Sequence, residues 1–208
     1  MATTALHPSS ELDHLLRAAE LAHGHLCAGQ ILGVRMAMLG CKRLGIEVPR
    51  GRDRKRLVTF VEIDRCATDA IGVVTGCRVG KRALKLRDWG KMAATFVDLN
   101  AELEPGVYKG VRVVALESSK ARAKELYPEL ERNPQQMKAY REMQDAELFG
   151  EQWVRVPLPA SEFPGYKGQR VVCARCGEGV NFDRFAERDG EQLCLACADA
   201  EKVYFKPL

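Results

Sequence analysis

The 208 residues predict an α+β protein that ends in a small four-cysteine module. Three observations predict it. Apolar residues recur at helical spacing through residues 11–44. Runs of β-branched and aromatic residues cluster in the middle of the chain, without strictly alternating helices between them. Residues 169–208 carry four cysteines in two close pairs. The expected organisation is a mixed core over 1–160, with N-terminal helices packed on a central sheet, then a linker over 161–168 and a zinc finger over 169–208.

In order, residues 11–23 set Leu12, Leu15, Leu16, Ala19 and Ala22 on one helical face behind Ser10 as N-cap. After a glycine-flanked turn, residues 30–44 repeat the period through Ile31, Val34, Met38 and Leu39, and Gly45 ends it. The small residues Ala28, Gly29, Gly33, Ala37 and Gly40 on this second helix predict close approach to another backbone. Residues 57–63 read as a strand and residues 66–75 as a helix closed by Gly76. Strands are expected at 92–99 and 111–116, around the turn signal Glu104-Pro105-Gly106. A helix through Ala123 and Leu126 stops at Pro128, and Asn133-Pro134 starts another that runs to about Leu148. Residues 153–159 look extended. Ala160 to Gly168, with Pro164 and Gly165, has the composition of a linker.

Composition narrows the class. A hydrophobic fraction of 46% and a charged fraction of 29% suit a globular chain and exclude a disordered one. No apolar run approaches the roughly 20 residues that span a bilayer, and residues 1–10 lack a basic stretch leading into an apolar one. A cytoplasmic protein with no membrane partner is expected. The net charge of +4 draws on the basic run Pro49–Arg56. That run can contact phosphate or nucleic acid, but no aromatic platform interleaves it, which favours a solvated loop.

Eight cysteines in a cytoplasmic chain argue for metal over disulfides. Cys173, Cys176, Cys194 and Cys197 have the spacing C-x2-C-x17-C-x2-C. Four thiolates can surround one zinc ion tetrahedrally, each pair reaching it from a tight turn. Asp189-Gly190 fits a hairpin turn before the second pair, and a short helix from Leu195 can carry the last ligand. All four positions are filled by protein, so this zinc is expected to be structural. A segment this short gains its folding free energy from the ion.

A second constellation lies at His23-Gly24-His25-Leu26-Cys27-Ala28-Gly29. A helix continuing through it would put His23 and Cys27 on one face and send His25 elsewhere; a break at Gly24 lets His25 and Cys27 line one pocket. Cys27 and Cys66 each stand where a helix begins, and the positive end of its dipole favours a thiolate there. His25, Cys27 and Cys66 form a candidate catalytic set, with His23 and Cys77 as further candidate ligands for a second divalent ion. Three protein ligands with an open fourth position are the catalytic, not the structural, arrangement. Cys41 reads as buried packing. Asp69, one turn after Cys66, can orient a ligand histidine or simply complement the helix dipole.

At these residues the chain resembles the family of the formylmethanofuran dehydrogenase E-subunit. The blocks that carry the resemblance are His23–Gly29 with Gly33-Val34-Arg35-Met36, then Cys66–Ile71 running into Thr75-Gly76-Cys77 and Gly80-Lys81. A third is Asp88–Ala93 with Thr95-Phe96. Ala28 stands where the family usually has proline, and Arg78 where threonine is common. The resemblance implies an α+β core, a treble-clef finger, a homodimer, and a site lined by the His/Cys motif and the second cysteine block. It also implies an accessory role beside molybdenum or tungsten oxidoreductase subunits of one-carbon metabolism, with no self-contained catalytic motif. Lys81 and Lys91 would then hold an anionic substrate or cofactor. The alternative is a nucleic-acid-binding or regulatory zinc protein whose core senses a metal or small ligand.

Overall fold

The structure, a computed structural model, describes residues 8–199, 201 and 203–206. Helix α1 spans Pro8–His23. It starts earlier than expected, so Ser10 falls inside the first turn; its side chain lies outside the described residues. Leu16 and Ala19 are buried, with Leu12 and Leu15 packed beside them. Helix α2 (Ala28–Arg43) is apolar nearly all round, with residues 30–34 all buried. A helix of that kind belongs in the middle of a protein.

Strand β1 (Leu57–Val61) leads into helix α3 (Cys66–Thr75), which Gly76 closes at φ +70°. A 3-10 turn over Val79–Lys81 precedes strand β2 (Leu84–Leu86). Strands β3 (Ala93–Glu104), β4 (Val107–Ala115) and β5 (Phe149–Pro157) complete a mixed sheet in the order β2-β1-β3-β4-β5. Only β1 and β2 run parallel. Helices α4 (Ser118–Leu126) and α5 (Arg132–Glu142) and the short α6 (Asp145–Leu148) bridge β4 to β5. The chain is therefore α+β, as its patterns predict.

Close approach of α2 to its neighbours requires its glycines. A Cβ on Gly33 would lie 2.5 Å from the Ala67 carbonyl oxygen, and one on Gly40 would lie 2.2 Å from the Phe96 ring. The small residues thus let α2 lie directly against α3 and the sheet. Leu57, Val61, Ala94, Phe96, Val111 and Val113 fill the sheet face that joins this core.

Two expectations need correction. The segment 133–148 is not one helix. The Arg35 guanidinium donates to the carbonyls of Tyr140 at 2.9 Å and Met143 at 2.5 Å, and pairs with Asp145 at 2.6 Å. It takes up carbonyls at the end of α5, and α6 starts afresh, with the Glu147 carboxylate accepting from the Gln144 N–H at 2.9 Å. Strand β2 has no counterpart among the expected elements. Its three residues lie in a stretch of alternating Lys and Leu and gain strand geometry only by pairing with β1.

The chain divides into two compact units, Met1–Leu158 and Pro159–Leu208. The second contains two small hairpins, β6 (Val171–Val172) with β7 (Gly179–Val180) and β8 (Phe185–Arg188) with β9 (Glu191–Cys194). Asp189 and Gly190 turn the latter with φ of +51° and +82°, the paired left-handed conformation of a tight two-residue hairpin. Helix α7 (Leu195–Ala198) follows and carries Cys197. Among the described residues no helix is long and apolar enough to cross a membrane.

Candidate metal centre

Gly24 decides the shape of the first site. Its N–H closes α1 on the Glu20 carbonyl at 2.8 Å, and its φ of +97° is open to glycine but costly for other residues. The chain reverses there, and Cys27 becomes the extended N-cap of α2, its carbonyl accepting from the Ile31 N–H at 3.2 Å. Donor atoms of His23, His25 and Cys27 all lie within 4.8 Å of one another. The two imidazole rings are 4.8 Å apart between centroids, tilted by 45°. Nδ1 of His23 lies 2.8 Å from Oδ2 of Asp69.

Cys66 opens α3 beside Cys27 but stands outside that group of three. Gly29 lies between them: a Cβ there would lie 3.3 Å from Cys66 Cβ, a tight contact, and 3.7 Å from Cys27 Sγ, an ordinary one. Burial, followed by a hydrogen bond with Cys27 and the charge of that thiol, pushes the Cys66 thiol above its ordinary value. Dipole stabilisation of its thiolate, expected from its place at a helix start, is outweighed here. Sequence reasoning missed Gln30. It is fully buried and donates from Nε2 to the Cys66 carbonyl at 2.6 Å, tying the start of α2 to the start of α3. A polar residue opening an otherwise apolar helix was the signal.

Cys77 lies elsewhere. It is buried in the core, with Thr59 Oγ1 donating to its sulfur at 3.5 Å and its own thiol directed to the Leu57 carbonyl at 3.6 Å. Its inclusion as a core ligand is therefore corrected: it belongs with Cys41, whose thiol burial and the neighbouring Cys77 push up to about 12. Lys81 and Lys91 are exposed. The charge of Lys81 acts on Cys77, and Lys91 Nζ sits 5.6 Å from the Trp89 ring. Arg78 is exposed at the start of the 3-10 turn.

In the basic run, Arg56 pairs with Asp98 at 2.7 Å and with Asp53 at 3.2 Å, and Arg52 bonds Glu47. Asp53 also accepts from the Val48 N–H at 3.0 Å, the main reason its carboxyl stays below the usual range. Part of the run thus holds its own loop together.

In the C-terminal unit the sulfurs of Cys173, Cys176, Cys194 and Cys197 all lie within 4.8 Å of one another. The Gly177 N–H returns to the Cys173 carbonyl at 2.9 Å with φ +74°, which forms the first knuckle. The Cys197 N–H donates to Cys194 Sγ at 3.3 Å, a thiolate-supporting bond in the second. Cys176 and Cys194 sulfurs are 4.0 Å apart. Four sulfurs each 2.3 Å from one ion would be about 3.8 Å apart, so the set fits tetrahedral zinc. N–H groups of Cys176 and Cys194 pull the Cys173 thiol down to about 6, while a hydrogen bond with Cys194, then burial, push the Cys197 thiol up to about 12.

Comparison with known proteins follows this division. The family described as "FmdE, Molybdenum formylmethanofuran dehydrogenase operon" matches residues 22–155, and the "Prokaryotic dksA/traR C4-type zinc finger" matches residues 166–202. A curated relative from Archaeoglobus fulgidus, a "probable S-adenosyl-L-methionine-binding protein", is 32% identical over 92% of this chain and 54% of its own length. The chain thus spans about half of that relative. A crystal structure of a "tungsten formylmethanofuran dehydrogenase subunit e (fmde)-like protein" from Syntrophus aciditrophicus aligns over 92% of this chain and 94% of that one. It has a TM-score of 0.60 and 24% identity, so it shares the fold.

Proposed function

We propose, for a chain that belongs to the FmdE, molybdenum formylmethanofuran dehydrogenase operon, family, the role of a dimeric metal-binding accessory protein of molybdenum or tungsten one-carbon redox metabolism. The observation that supports it is the convergence of His23, His25 and Cys27 within 4.8 Å on one turn. Two imidazoles and a thiolate suit zinc, iron(II) or cobalt(II), and three protein donors leave a position for an exogenous ligand. A divalent ion held there would polarise a bound oxygen or sulfur group. His23 and His25 would supply nitrogen ligands, Cys27 would supply thiolate, and Cys66 stands beside Cys27 at the start of α3. Gly24 and Gln30 would preserve the arrangement by fixing the turn and the spacing of the two helix starts.

Cobalt(II) titration of the apo full chain tests the core reading. Two phases are expected: one with the spectrum of a four-thiolate tetrahedral site, one with weaker sulfur-to-metal charge transfer from a mixed N/S site. The His25→Ala/Cys27→Ser variant should lose only the second phase. A single four-thiolate phase in the unaltered chain would remove the core ion from the account. The accessory role is tested separately, by whether the unaltered chain, and not this variant, raises turnover of a molybdenum or tungsten oxidoreductase.

A second reading takes its support from the Archaeoglobus relative, whose description names S-adenosyl-L-methionine. Its sulfonium ligand is a different class from a metal-bound anion. Saturable heat on titrating the full chain with S-adenosyl-L-methionine would favour it, and no heat would remove it.

A further inference from the structure

Asp69 is fixed to the core cluster by one contact that crosses 46 positions of sequence. Its Oδ2 lies 2.8 Å from Nδ1 of His23, whose side chain is only 18% exposed, while the Asp69 side chain is 60% exposed. Burial therefore does not hold the carboxylate in place; its position comes from α3, one turn beyond Cys66.

A neutral imidazole donates from one ring nitrogen and accepts at the other. A carboxylate at Nδ1 keeps the proton there, so Nε2 presents the lone pair. It also restrains the ring plane. Metal-binding histidines commonly carry such a carboxylate partner, and its loss weakens binding about 10–100-fold.

We propose that Asp69 is a positioning residue of the core site, holding His23 in the tautomer and orientation that offer Nε2 to a divalent ion. This rests on the reading of His23, His25 and Cys27 as ligands. Two plainer roles compete. An exposed ion pair contributes little to stability, and an acid in the first turn of α3 complements the helix dipole without reference to His23. Neither predicts that the effect of Asp69 vanishes when His23 is removed.

The experiment measures zinc affinity of the full chain, its finger already loaded, by competition with a chromogenic chelator. Asp69→Ala should weaken the core site about 10–100-fold, and Asp69→Glu should recover part of the loss. In a His23→Ala background, Asp69→Ala should change the affinity no further. Urea midpoints of the same variants, measured with the core ion absent, should stay together and so exclude unfolding as the cause. Unchanged affinity in Asp69→Ala, or an equal further loss in the His23→Ala background, overturns the proposal. If the unaltered chain takes up no zinc beyond that of the finger, the metal reading itself falls and this inference with it. The two failures are therefore distinct.

Discussion

Gly24 lets His23, His25 and Cys27 meet, because α1 ends there at φ +97°. Adding a Cβ meets no atom within 4 Å, so Gly24→Ala is a purely conformational substitution. It should cost about 1–2 kcal/mol of stability and loosen the three-donor group, read as a lower urea midpoint together with weaker zinc uptake. A midpoint equal to that of the unaltered chain would mean the turn tolerates a side chain. The buried thiols make a separate prediction. The Cys41 thiol rises from 9.0 to about 12 because burial, then Cys77, then Asp53 disfavour its thiolate. Its folded value is above its unfolded one, so the stability linked to it is complete below pH 9 and is lost as pH climbs through about 12. The fall in urea midpoint between neutral pH and about pH 11 should be smaller in Cys41→Ala; an equal fall would contradict the assignment. The ligand types at 23–27 and the alternatives at Gly24 were legible in the sequence, because they depend on local geometry. That Asp69 can orient a ligand histidine was legible from its place one turn after Cys66; that the histidine is His23, and the removal of Cys77 from the site into the company of Cys41, depend on tertiary packing and had no local signal.

At the scale of elements, the site depends on how closely α2 lies against α3. Gly33 is the point of contact, and a methyl there would meet the Ala67 carbonyl oxygen at 2.5 Å and Ala70 Cβ at 2.8 Å. These neighbours are backbone and a helix-borne methyl, so relief requires moving one helix. Gly33→Ala should therefore cost about 1–3 kcal/mol and separate Cys27 from Cys66. Chemical denaturation measures the first, and the rate of disulfide formation between the two thiols under mild oxidation of the core-apo protein measures the second. A fully stable variant would show the helices free to shift. The small-residue pattern on 28–40 made this contact readable in advance, and Gly76 marked the end of α3. The C-terminal end of α5 and the existence of β2 were not readable. Arg35, about a hundred positions away, terminates the first, and pairing with β1 creates the second.

For the whole molecule, the chain joins an FmdE-family core to a C4-type zinc finger. The finger was the clearest feature of the sequence, since thiolate number and spacing nearly determine a tetrahedral site. The core was less clear, since its candidate ligands come from a turn whose direction one glycine sets. Strong chelation should unfold the C-terminal hairpins, whose hydrophobic burial is small, and this would appear as rapid proteolysis within residues 166–202. Protection that persists without zinc would show the unit folds by other means. The central claim is that His23, His25 and Cys27 hold a second ion, and counting bound metal tests it most directly. Elemental analysis of the full chain, purified without oxygen, should find two divalent ions per chain, falling to one in His25→Ala/Cys27→Ser with the finger intact. One ion per chain in both proteins would contradict it.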